Sequence, residues 1–249
     1  MKKHLRLFIF LILLSLLSGC AQWSVTPCME LTRLTPEVDP MTDEAQAALL
    51  ASLNPAVQAV LGLYPLFEGN TWVYEYLGFN ERMEVQWHVT EKVVDARIVD
   101  GHYLVEIERT ASCHTEDPPD DFLNAPETGT FWYLVDGYHL YRFEDEDTDL
   151  SDAWLELVFP LSEDEGWYPD PELRGEEVPE LFGYRQASEP YQEVLPIGGT
   201  YTCYNISTDR DDAKNRQTFC ETIGILYKEF IHFDENSGYR VELVGVSIQ

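Results

Sequence analysis

NTWVYEYLG (70–78), ERMEVQWHVTEKVVDARIV (81–99) and GHYLVEIERTASC (101–113) decide the fold. Each alternates in part between apolar and polar residues, is rich in Val, Tyr or Trp, and is bounded by turn residues. That period of two marks half-buried strands. TGTFWYLV (128–135) and YHLYRF (138–143) continue the pattern. Between them Asp136-Gly137 predicts a two-residue hairpin turn with positive φ at both positions, and Asp100-Gly101 gives a similar signal between ARIV and HYLVEIE. A second set of strands follows in AWLELVFPL (153–161), TYTCYNIS (200–207), TFCETIGILYKEFIHF (218–233) and YRVELVGVSI (239–248). The chain is expected to be mainly β, its antiparallel strands building a curved half-barrel or a sandwich.

The two sets show an approximate repeat. Pro65-Leu66 precedes Trp72 as Pro160-Leu161 precedes Trp167, and Gly101, Gly137, Gly199 and Gly238 follow in matching order at turns. Two duplicated halves, 64–143 and 159–249, account for this. So does any antiparallel meander, which places Gly-Tyr at its turns. Upstream, Leu49, Leu53, Val57, Val60 and Leu61 make one helical stripe, with Thr42 and Asn54 as N-caps and Pro55 at a first helical position. Two short helices over 42–63, docked on the β-rich body, are expected. The uncharged run 45–67 invites a transmembrane reading, but Gln46, Ser52, Asn54, Gln58 and two prolines argue against it.

The first residues decide where the body lives. Lys2, Lys3 and Arg6 precede an apolar run from Leu7 to Leu17, followed by small Ser18-Gly19, which is the build of a secretory signal. The run falls short of the roughly 20 apolar residues that span a bilayer. Leu17-Ser18-Gly19-Cys20 resembles the lipobox of bacterial lipoproteins. The resemblance implies cleavage before Cys20, a lipid on its sulfur, and an extracytoplasmic body held at the cell or outer membrane. Residues 21–40, with Pro27, Pro36 and Pro40, read as a tether. Pro65-Leu66-Phe67-Glu68-Gly69-Asn70-Thr71-Trp72-Val73-Tyr74 is similar to the opening of a group of uncharacterised β-rich bacterial lipoproteins. A more remote likeness is to the half-barrel of lipoprotein carrier proteins.

Composition narrows the partners. Asp and Glu number 45 against 16 Lys and Arg, and loss of the three signal-peptide cations takes the net charge from -29 to -32. Such a surface repels phosphate backbones and anionic headgroups, so nucleic acid is excluded as a partner and membrane contact must come through the anchor. With 14 Tyr, 12 Phe and 6 Trp the body folds around a core despite its charge. Four cysteines besides Cys20 favour disulfides in an exported protein. Cys203–Cys220 would close a hairpin centred on Asp211-Asp212, and Cys28–Cys113 would pin the tether to the sheet.

No catalytic signature is found: no Gly-x-Ser-x-Gly, His-Glu-x-x-His, Ser-x-x-Lys or phosphate-binding glycine loop. His88, His102, His114, His139 and His232 are scattered without metal spacing. Asp145, Asp147, Asp149, Ser151 and Glu156 fall at calcium-loop positions, but Leu150 stands where the turn needs glycine. A weak calcium site and a solvated acidic linker are the two readings of this stretch. Trp72, Tyr74, Tyr76, Trp87 and Trp132 are candidates to line an apolar ligand face. The expected function is a non-enzymatic binding or scaffold module for an apolar ligand or envelope protein. The alternatives are an envelope-polymer hydrolase working through paired carboxylates and a structural subunit of a surface complex.

Overall fold

The computed structural model describes residues 43–113, 122–146, 148–170, 172, 183–209, 213–234 and 236–248. Helices α1 (Asp43–Ser52) and α2 (Pro55–Leu63) lead into the sheet. Asn54 Oδ1 accepts from the Ala56 N–H at 2.9 Å and Pro55 occupies the first turn, as the N-cap pattern predicts. Leu53, Val57, Val60 and Leu61 are buried and Leu49 packs beside them, so the apolar stripe is the docked face. The Thr222 N–H holds the end of α2 by donating to the Leu63 carbonyl at 2.7 Å. Among the described residues no helix is long and apolar enough to cross a membrane.

The strands are β1 (Thr71–Phe79), β2 (Glu84–Val99), β3 (His102–Cys113), β4 (Gly129–Asp136), β5 (His139–Phe143), β6 (Trp154–Val158), β7 (Gly166–Trp167), β8 (Arg185–Ala187), β9 (Tyr191–Val194), β10 (Thr200–Asp209), β11 (Ala213–Cys220), β12 (Gly224–His232) and β13 (Ser237–Ser247). They form one antiparallel sheet in the order β6-β5-β4-β3-β2-β1-β13-β12-β11-β10-β8-β7, with β9 added on β10. The chain is thus an up-and-down meander whose two strand sets are joined where β1 pairs with β13, from Thr71↔Ser247 to Phe79↔Gly238. The sheet curls until its ends meet. At that seam the Leu155 N–H donates to the Pro169 carbonyl at 2.9 Å, Trp167 Nε1 to Leu155 at 3.3 Å and Arg185 to the Glu156 carbonyl at 2.9 Å. The result is a nearly closed barrel rather than a sandwich. Bulges at Val73/Tyr74, Val93/Asp95, Leu140/Tyr141 and Thr218/Phe219 sharpen the local twist that curling requires.

One predicted turn is shifted. Asp100 and Gly101 both have positive φ between the paired Val99 and His102, as expected. In the next hairpin Asp136 pairs with His139, so the loop is Gly137-Tyr138, and of these only Gly137 has positive φ. The physical reason is register. The observed register sets Val135 opposite Leu140, both fully buried, whereas a loop at Asp136-Gly137 would set Val135 opposite Tyr138, which is 49 % exposed.

Tyr64 sits at the centre of the core, edge-on to Trp72 at 5.6 Å and to Phe219 at 5.8 Å. Gly224, at φ 99°, admits it, because a Cβ there would lie 2.2 Å from the Tyr64 ring. The Pro65–Tyr74 opening is a plug. Asn70, fully buried, donates to the Pro65 carbonyl at 2.7 Å, and Tyr103 donates to the Leu66 carbonyl at 3.0 Å. Trp72 Nε1 donates across the core to the Ile223 carbonyl at 2.7 Å.

Cys203 and Cys220 face each other on β10 and β11 and form a disulfide with a sequence separation of 17. Cys28 and the side chain of Cys113 lie outside the described residues, and their pairing with them. Closing a loop of this size stabilises by about 3 kcal/mol in the chain-entropy account. Replacing both Cys203 and Cys220 by alanine is expected to lower stability by about 2–4 kcal/mol with the far-UV spectrum unchanged, as checked by urea unfolding.

Candidate functional site

Alternation along the strands sends two kinds of residue inward. Near the plug the inner face is apolar: Trp72 on β1, Val93 on β2, Ile107 on β3, Tyr133 on β4, Leu140 on β5 and Phe219 on β11 are all buried. Two residues further along β1, β3 and β5 the inward positions are Tyr74, Arg109 and Arg142. There the interior opens into a cavity of 370 Å³. Tyr74, Tyr76, Val89, Ile225, Phe230 and Tyr239 give it apolar walls, and Glu91, Arg109, Arg142 and Lys228 give it charge. A strap from Leu123 to Glu127 forms the rim, pinned by Phe122 against Trp87 at 5.7 Å and by Asn124 donating to the Phe79 carbonyl at 2.9 Å.

The charges are ordered in ion pairs. Arg109 donates through Nε at 2.9 Å and through a terminal nitrogen at 2.6 Å to one oxygen of Glu91, its neighbour across the β2–β3 ladder. Glu156, 3 % exposed, accepts from Lys228 at 3.1 Å and lies 3.5 Å from Arg185 on its other oxygen, tying β6 to β12 and β8. Arg109 and Arg142 each place their guanidinium carbon 4.6 Å from the centroid of Phe131. Among the described residues the direct ion pairs of Arg142 are with exposed carboxylates, Glu144 at 2.6 Å and Glu127 at 3.7 Å, 65 % and 80 % exposed.

Burial works against ionisation of Glu156. The Lys228 ammonium and the Arg185 and Arg142 guanidiniums overcome it and hold the carboxyl well below the usual carboxylate range. Burial pulls the Lys228 ammonium below the ordinary lysine value, with Glu156 opposing. The sign of the linkage follows. A carboxyl with a depressed folded-state value contributes stability that is full above its ordinary 4.5 and is lost as pH falls toward the folded value. The stability advantage of the wild type over Glu156→Gln is therefore expected to be constant from pH 7 to about 5 and to shrink below pH 4.5. Urea unfolding at stepped pH measures it.

The aromatic candidates separate. Tyr74 and Tyr76 line the cavity. Trp72 and Trp87 are 1 % and 4 % exposed and belong to the core. Trp132 points to the other side of β4, stacked on Phe143 at 6.5 Å in a satellite cluster outside the barrel. The reason is parity, since Trp132 sits between the inward Phe131 and Tyr133. Of the calcium-loop candidates, Asp149 accepts from the Ser151 backbone and hydroxyl at 2.9 Å, and Asp147 lies outside the described residues. Glu156 is spoken for by Lys228 and Arg185 inside the barrel. Among the described residues no group of three or more His, Cys, Asp or Glu side chains is placed to hold a metal ion. Arg109, Arg142 and Lys228 were not singled out by motif. Their signal is a cation on the apolar phase of a strand: Arg109 after Tyr103, Val105 and Ile107, and Arg142 after Leu140.

No family model matches the chain, and no curated protein matches it. Solved structures do. A protein of Parabacteroides distasonis assigned as a lipoprotein is 13 % identical with TM-score 0.41, covering 73 % of this chain and 96 % of its own. A protein of Bacteroides fragilis assigned as exported, with a YmcC-like fold, is 12 % identical with TM-score 0.39, covering 74 % and 98 %. The MucA/MucB complex of Pseudomonas aeruginosa gives 9 % identity and TM-score 0.28, covering 78 % and 57 %. Likenesses this remote carry no function to the present chain.

Proposed function

We propose that this chain is a lipid-anchored, extracytoplasmic, non-enzymatic binding module, with its lipid on Cys20 and its ligand in the open half of the barrel. The observation that carries the binding role is the 370 Å³ cavity, a size typical of small-molecule sites. Compartment and anchor rest on the order of basic, apolar and small residues before Cys20. The Cys203–Cys220 disulfide is in keeping with an oxidising compartment.

The hydrolase alternative finds little support in the interior carboxylates. A general acid needs a carboxyl raised toward neutrality, and Glu156 is pushed the other way. Glu91 gives one oxygen to both Arg109 hydrogen bonds. Both act as ion-pair partners. Expression of the full chain in a bacterium fed an alkyne-tagged fatty acid tests the anchor. Label is expected on the wild type and absent from Cys20→Ala, and a mature mass retaining residues 1–19 without lipid would overturn it.

A further inference from the structure

We infer that the cavity selects an organic anion, a carboxylate or phosphate head on an apolar body, through Arg142 and Lys228 with Arg109 behind them. The inference rests on the binding-module reading and deepens it.

The first ground is charge. The chain carries 45 acidic against 16 basic residues, yet the barrel interior reverses that ratio. Among the described residues Arg109, Arg142, Arg185 and Lys228 share it with two carboxylates, the part-buried Glu91 and the buried Glu156. Glu127 and Glu144 reach Arg142 from the rim, where solvent weakens such pairs to a small fraction of a buried one. An incoming anion displaces them easily.

The second ground is independent of charge counting. Four buried side-chain polar atoms among the described residues lack a hydrogen-bond partner. Two of them belong to inward-facing residues: Nε of Arg142, which lines the cavity, and Nε2 of Gln217, directly across the ladder from Lys228. Both are N–H donors. Buried donors without partners are costly, so the inner face is short of acceptors. A carboxylate or phosphate supplies acceptors and negative charge together. The remaining walls, Tyr74, Tyr76, Val89, Phe230 and Tyr239, suit an apolar body and would be wasted on an inorganic ion.

Calorimetric titration of the wild-type protein with octanoate, octyl phosphate, octanol, octylammonium and inorganic phosphate tests this. One octanoate or octyl phosphate per chain is expected, with octanol and inorganic phosphate each at least about tenfold weaker and octylammonium not bound. Binding of only one of the two anions supports the inference and names the head. Arg142→Met is expected to weaken the anion by about tenfold or more and leave octanol unchanged. Should that variant fail to fold, the wild-type comparison still decides. Octanol or octylammonium binding as tightly as octanoate overturns anion selection and leaves the binding module standing. No uptake of any probe overturns both.

Discussion

Replacing Glu156 by alanine is expected to lower stability by about 3–5 kcal/mol, because it leaves Lys228 and Arg185 facing each other without a carboxylate. For a body of this size that amounts to a fall in Tm of roughly 6–20 °C. Arg185, 8 % exposed, cannot shed its proton and carries most of the cost. Lys228, whose charged form burial already disfavours, adds to it. Glu156→Gln keeps a hydrogen-bond acceptor for Lys228 and should fall between the two. The same substitutions change the cavity in the opposite sense. With four interior cations against one carboxylate, a variant that still folds should bind octanoate more tightly than the wild type while melting earlier. A general loosening of the fold would weaken both, so opposite movement of Tm and affinity checks the electrostatic account.

The second large effect is at Trp72. Truncation to alanine removes a 1 %-exposed indole from the ring of Tyr64, Phe219 and Trp72, a cavity costing about 3–5 kcal/mol. It also strips the Ile223 carbonyl of its 2.7 Å donor, a further penalty of about 1–3 kcal/mol if left buried and unpaired. Against a typical total of about 5–15 kcal/mol, Trp72→Ala should populate the unfolded state at ordinary temperature. Trp72→Phe isolates the hydrogen bond by keeping an aromatic ring, and is expected to cost less. If Trp72 served the ligand, the phenylalanine variant would lose octanoate affinity. As a plug residue two positions from the cavity wall, it should lose only stability.

How far the sequence led depends on the kind of signal. Strand periodicity and the cap at Asn54-Pro55 are local, and they survive in the structure because every neighbour agrees with them. Whether the sheet would close was not local. It depends on β1 meeting β13 and on Arg185 and Trp167 reaching β6, contacts between residues far apart in the chain with no mark in either partner. The turn at Gly137-Tyr138 was misplaced by one residue because the Asp-Gly pair favours one loop and burial of Val135 against Leu140 favours the other. Burial prevailed.

The site was half legible. Tyr74 and Tyr76 follow from alternation, but Trp132 carries the same composition signal and faces outward. Glu156 was drawn into the acidic run by spacing. Its flanking Leu155 and Leu157 are the better clue, since all three are buried where β5 and β6 slip by a bulge. Arg109 and Arg142 could have been found by asking which charges sit in phase with the core.

The barrel interior, short of acceptors, is proposed to hold an anion beside Arg142. Bromide soaked into crystals of the protein reports on it directly, through its anomalous scattering. A bromide peak inside the cavity at contact distance from Arg142 Nε is the predicted result. A cavity free of bromide, with Arg142 Nε and Gln217 Nε2 both bonded to protein oxygens, would contradict it.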